Sequence, residues 1–108
     1  MSELVQKLSE GWHPVIVNLR PENSLKALKE SIERAYIYVK FTNTRGGTDL
    51  GISIDPQFSD LTSADLDAGT GSLRLVGTVK LDYVQVRCIA DISLPELKGI
   101  GRLEPLPG

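Results

Sequence analysis

A single histidine and a single cysteine bound the chemistry open to this chain. His13 stands between Trp12 and Pro14, where a short helix is expected to hand over to a strand. A general base needs a proton-transfer partner within hydrogen-bond reach. No serine, cysteine or carboxylate is brought to His13 by spacing, so an enzyme built on it would need a distant carboxylate or Arg45 to converge there. The alternative is that the ring fills the helix–strand junction. Cys88 falls on the same strand register as Val84, Val86, Ala90 and Ile92, which makes it a small buried core residue. Arg87 is adjacent but points to the opposite face of a strand, so it cannot activate the thiol. One cysteine permits no intramolecular disulfide and no thiolate-rich zinc site.

Two glycine-containing stretches invite a phosphate reading, Arg45-Gly46-Gly47-Thr48 and Gly69-Thr70-Gly71. Neither matches a Walker or dinucleotide fingerprint. The first also joins two apparent antiparallel strands, so it lacks the helix N-terminus that would cradle a phosphate. Asp65-Leu66-Asp67-Ala68-Gly69 resembles the opening of a calcium loop, but counting from Asp65 the twelfth position is Val76, not glutamate, and the sixth is not glycine. No cofactor and no metal are expected.

Charge and aromatic placement say more. Between Gly46 and Leu73 lie Asp49, Asp55, Asp60, Asp65 and Asp67, with no lysine or arginine. From Arg74 to Arg102 lie the bases Arg74, Lys80, Arg87, Lys98 and Arg102, accompanied by Asp82, Asp91 and Glu96. The acidic segment is either a solvated loop with no special partner, or lies across its own domain's basic strand face, or meets a basic surface on a partner. Tyr36 and Tyr38 alternate with Ile37, Val39 and Phe41, which turns both rings away from the core. Aromatics on an outward sheet face can serve as contact anchors; the alternative is that Tyr36 packs under the preceding helix and Tyr38 shields a neighbouring strand. The candidate binding residues are therefore Tyr36, Tyr38, Arg45, Asp60, Asp65 and Asp67.

These residues need a scaffold. Leu4, Val5, Leu8 and Trp12 recur at helical spacing and predict a helix over 2–10, stopped by Gly11. Val15 to Leu19 reads as a strand bracketed by Pro14 and Pro21. Asn23 or Ser24 caps the principal helix, about 24–35, with Leu25, Leu28, Ile32 and Ala35 as its apolar stripe and Lys26–Glu30, Lys29–Glu33 and Glu30–Arg34 pairs outside. The period then switches to two, so 36–55 reads as a β-hairpin with a long loop. Residues 56–71 read as a mobile loop holding Phe58, Leu61 and Leu66. Two more strands follow around a turn at Asp82. Ser93 and Glu96 have capping-box spacing for one helical turn, Ile100 to Leu103 form a short last strand, and 104–108 an extended or frayed tail. Gly77, Gly99 and Gly101 permit bends in the sheet.

The expected class is α+β: one domain over 1–108, a mainly antiparallel sheet with the principal helix packed on one face and a short N-terminal helix. The formal net charge of −2 disfavours nonspecific nucleic-acid and anionic-membrane binding. No segment is apolar enough to span a bilayer, and Glu3 disfavours a secretory leader, so a cytoplasmic location is expected. The function this favours is a non-catalytic accessory or regulatory protein acting by protein–protein binding, with a homodimer as one form of it. One alternative is a small-molecule carrier with an apolar pocket between sheet and helix, lined by Phe41, Ile52, Leu75 and Val86. The other is a small enzyme using His13.

Overall fold

Ser24 starts the principal helix. In a computed structural model, which describes residues 3–19, 22–94 and 96–106, its extended backbone and its side-chain oxygen, accepting from the Ala27 amide at 3.1 Å, form the N-cap of α2 (Leu25–Arg34). Ala35 ends the helix in the left-handed region, at φ 59°, with its amide returned to Ile32. That geometry removes Ala35 from the apolar stripe. The fully buried face is Ala27, Leu28 and Ser31, while Leu25 and Ile32 are half-buried at its margins. Lys29 gives its hydrogen bond to Asp67 at 2.6 Å.

The remaining elements are α1 (Glu3–Ser9), β1 (His13–Val17), β2 (Tyr36–Phe41), β3 (Thr48–Ile54), β4 (Ala64–Asp65), β5 (Thr70–Leu81), β6 (Val84–Ser93) and β7 (Lys98–Pro105). Every strand pairing is antiparallel, in the order β3-β2-β1-β7-β6-β5, with β4 beyond β5. The expected hairpin is present, from Tyr36 opposite Ser53 to Phe41 opposite Thr48. What periodicity did not show is that β3 returns to pair with β5, Ser53 opposite Thr78 and Ile54 opposite Gly77. The sheet therefore closes into a six-stranded barrel.

Closure changes where the helices sit. α1 leads into the start of β1, and α2 connects the end of β1 to the start of β2, so the helices belong to opposite ends of the barrel. At the first end Val5 and Leu8 are buried, Lys7 donates to the Asn43 carbonyl at 3.1 Å, and Arg102 donates to the Ser9 carbonyl at 2.9 Å. At the other end Leu28 is buried and Leu25 packs against Gly69. The inward row of each strand fills the space between: Val15, Val39, Phe41, Ile52, Leu75, Val86, Cys88, Ile92 and Leu103 are among its buried members.

Several local expectations are corrected. Pro14 does not bracket β1 but lies within it, opposite Ile100 near the strand's start, where a missing N–H is tolerated. Trp12 leaves the α1 stripe and is half-exposed, with the Arg102 guanidinium 5.9 Å over its ring. The Ser93–Glu96 turn is a single α-turn closed from the Leu97 amide to the Ser93 carbonyl at 2.8 Å, joining β6 to β7. β7 runs past Leu103, with Glu104 opposite Arg87 and Pro105 opposite Val86. The 56–71 stretch is stitched to β5: Asp60 and Arg74 exchange backbone hydrogen bonds at 2.9 and 2.8 Å, and Ser72 donates to Ser63. Pro21, the first residue of the expected 2–10 helix and the last two of the expected 104–108 tail lie outside the described residues.

Leu28 has no exposed surface and ties α2 to the core. Leu28→Ala should cost about 2–5 kcal/mol in urea unfolding. A near-neutral result would mean that α2 does not stopper the barrel.

Candidate functional site

Tyr36 and Tyr38 stand on the outer wall of β2, 41% and 37% exposed. Their rings meet edge to face, 5.5 Å between centroids at 89°. The strand opposite makes room for them, because Gly51 pairs with Tyr38 and a Cβ there would collide with the Tyr36 hydroxyl and crowd the Tyr38 ring. The two rings thus lie over a bare stretch of β3 backbone. The Tyr36 hydroxyl titrates above its ordinary value, first through its hydrogen bond with Tyr38 and then through burial, so it stays neutral at physiological pH. Beside the pair, Asn18 donates to Asp49 at 3.0 Å and Lys40 lies opposite Asp49. The ledge is aromatic with a polar border.

The other candidates lie elsewhere. Arg45 is exposed in the β2–β3 loop, beyond the end of β2 remote from Tyr36. The steps from Tyr36 to Phe41 alone span roughly 17 Å. The three acids belong to the 56–71 segment, and each has an internal partner. Asp60 accepts from the Thr62 amide and hydroxyl, and those bonds hold its carboxyl below the ordinary range, helped by Arg74. Asp65 accepts from the Asp67 and Ala68 amides in its own turn. Asp67 pairs with Lys29, which lowers its titration. The acidic segment is thus applied in part to its own domain. Arg74 forks onto Asp91 at 2.7 and 2.9 Å, and with Asp60, Ser63 and Ser72 it borders an open polar depression of about 370 Å³.

His13 has both ring nitrogens engaged. Nδ1 lies 2.9 Å from the Asn43 side-chain nitrogen and Nε2 2.9 Å from the Glu10 carbonyl oxygen. A neutral ring donating from Nε2 and accepting at Nδ1 satisfies both contacts, and Phe41 meets it edge to face. His13 therefore joins α1, β1 and the β2–β3 loop. Its hydrogen bonds involve neither a carboxylate side chain nor Arg45. Among the described residues no group of three His, Cys, Asp or Glu is placed to hold a metal ion.

The residues expected to line a carrier pocket, Phe41, Ile52, Leu75 and Val86, are fully buried in the barrel interior. An apolar pocket of about 200 Å³ does exist, bordered by Ile32, Ala35, Ile54, Pro56, Leu61 and Leu75. Only Leu75 was anticipated in it.

Sequence reasoning passed over Tyr83, which is 94% exposed. It forms the β5–β6 turn with Asp82, both at positive φ, between Leu81 and Val84. The signal was legible, because two residues between facing strand partners demand a primed turn that holds its side chains in solvent. Phe58, expected only as part of the 56–71 loop, lies outside the barrel, half-exposed, under the Arg87 guanidinium at 4.7 Å. The chain matches no protein-family model and no curated protein.

Cys88 is buried among core residues, and burial pushes its thiol from the ordinary 9.0 up to about 12. Below pH 9.0 folded and unfolded chains both keep the proton. Above it the unfolded chain ionises first, so the thiol's contribution to stability falls from pH 9.0 toward about 12. The difference in unfolding free energy between wild type and Cys88→Ala should shrink over that window, and native labelling by a thiol reagent should be slow. Rapid native labelling at neutral pH would show the thiol to be accessible.

Proposed function

We propose that this protein is a non-catalytic accessory or regulatory module that binds another protein through the outer wall of its barrel, centred on Tyr36 and Tyr38. The observation that carries the reading is the placement of the aromatic pair. The interior is occupied by its own side chains, whereas two large rings are held outside on a rigid strand. Fixed aromatics lose little entropy on contact, and such residues dominate the energetics of many interfaces. The half-exposed ledge can pass fully out of water against a partner. The candidates Arg45, Asp60, Asp65 and Asp67 are separated from it, so the proposal narrows to the tyrosines. A cytoplasmic setting fits the single buried thiol. Among the described residues no helix is long and apolar enough to cross a membrane.

The second reading is carriage of a small apolar molecule, favoured by the pocket beside Ile32, Ile54 and Leu61. Its volume of about 200 Å³ is below the roughly 300 Å³ at which drug-sized sites begin, which limits cargo to something of a few carbons to one ring.

The test compares wild type with Tyr36→Ala/Tyr38→Ala in capture from native cells, followed by affinity measurement on the recovered partner. The double variant should weaken that complex by about 2 kcal/mol or more while keeping the wild-type urea midpoint within experimental scatter. A partner bound equally by both proteins would place the interface elsewhere.

A further inference from the structure

β5 carries a nearly complete account of its backbone groups on the side away from β6. Ser72 donates to Ser63, Arg74 exchanges two bonds with Asp60, and Val76 accepts from Asp55 while its amide donates to the Ser59 hydroxyl. Thr78 then pairs with Ser53. The same parity turns the N–H and C=O of Lys80 toward β3, and there the pairing stops. On β3 the Ile54 amide donates to Ala35 on the β2 side and the Asp55 amide to Val76 on the β5 side. Even-numbered β3 residues therefore bond toward β2, and Ser53, Gly51 and Asp49 face β5. Ser53 is paired, but Gly51 and Asp49 have no β-partner on that side among the described residues. Had the ladder continued, Gly51 would lie opposite Lys80. The barrel wall is closed at one end of this seam and parted at the other.

Resting on the protein-binding reading above, we propose that the parted seam receives one extended peptide strand from the partner protein, hydrogen-bonded to the free edge of β3 at Asp49 and Gly51. Unpaired strand edges are filled by strand addition, in which main-chain bonds give affinity and side-chain contacts give selectivity. Gly51 supplies the selectivity. It has no side chain, and the Tyr36 and Tyr38 rings lie over it on the outer face. A residue of the incoming strand facing Gly51 lands beside both rings, so a large apolar side chain is preferred there. The other wall of the seam is formed by Val79 to Leu81 and the Asp82–Tyr83 tip.

The experiment uses amide hydrogen exchange on the whole protein, with a blocked peptide that alternates threonine and valine around a central phenylalanine. In the free protein Asp49 and Gly51 should exchange much faster than Leu50 and Ile52, whose amides face β2. Saturating peptide should slow Asp49 and Gly51 about tenfold or more, and replacing its phenylalanine by glycine should weaken binding about tenfold, equivalent to ~1.4 kcal/mol. Protection of Asp49 and Gly51 already present in dilute free protein would overturn the proposal, because the seam would be closed. Protection that grows with protein concentration alone would also overturn it, since the occupant would be a second copy. So would no binding of the peptide. If a native partner is lost on Tyr36→Ala/Tyr38→Ala, yet binds without slowing Asp49 and Gly51, strand addition fails while the aromatic interface stands.

Discussion

The β3–β5 contact holds the architecture together. Among the described residues its paired positions are Ser53 opposite Thr78 and Ile54 opposite Gly77, extended by the Asp55 amide on the Val76 carbonyl, and they turn an open meander into a barrel. The approach depends on Gly77, where a Cβ would run into the Ser53 carbonyl oxygen. Closure makes the inward rows of six strands face one another and gives Phe41, Ile52, Leu75 and Leu103 a common interior. It also sends α1 and α2 to opposite ends, where each covers apolar surface that the strands leave open. An unclosed sheet would need a second layer over its whole inner face, and one helix the length of α2 covers only part of such a face.

The same constraint divides the molecule chemically. The inside is occupied by hydrocarbon and one inert thiol, so specificity has to be carried by the outside. On the outside, the 56–71 segment satisfies most of the free edge of β5 and covers Val76, leaving Phe58 against Arg87. The β3 edge receives no such cover, and the Tyr36–Tyr38 ledge stands directly beside it. Aromatic surface and unsatisfied backbone are therefore adjacent, which favours a polypeptide partner over a small solute.

Much of the local structure was legible in the residues. A cap at Asn23 or Ser24, a buried helix stripe of which Leu28 is the fully buried member, the 36–55 hairpin and the inward register of Cys88 follow from spacing and side-chain type alone. Closure was not legible, because an alternation of period two tells which face a residue takes but not which strand lies beside it. The principal helix was expected to lie on a sheet face, and it stoppers a barrel end instead. Local errors have local causes: Ala35 is consumed by the left-handed cap, and Ser31 is buried by its position on the helix despite its hydroxyl. Of the binding candidates, Tyr36 and Tyr38 share the outer wall of β2, while Asp65 and Asp67 share one turn of the 56–71 segment. The acids are occupied by the turns and the ion pair they serve.

The barrel's partial closure is read most directly from proton–proton contacts between strands. Ile54 and Gly77 form a non-hydrogen-bonded antiparallel pair, in which the two backbones approach to about 4.5 Å between Cα atoms. A strong nuclear Overhauser contact between their α-protons is expected, with none between those of Ile52 and Val79, the next pair of that kind along the seam. A strong Ile52–Val79 contact would mean a fully zipped barrel with no free β3 edge, and absence of the Ile54–Gly77 contact would mean that the sheet does not close.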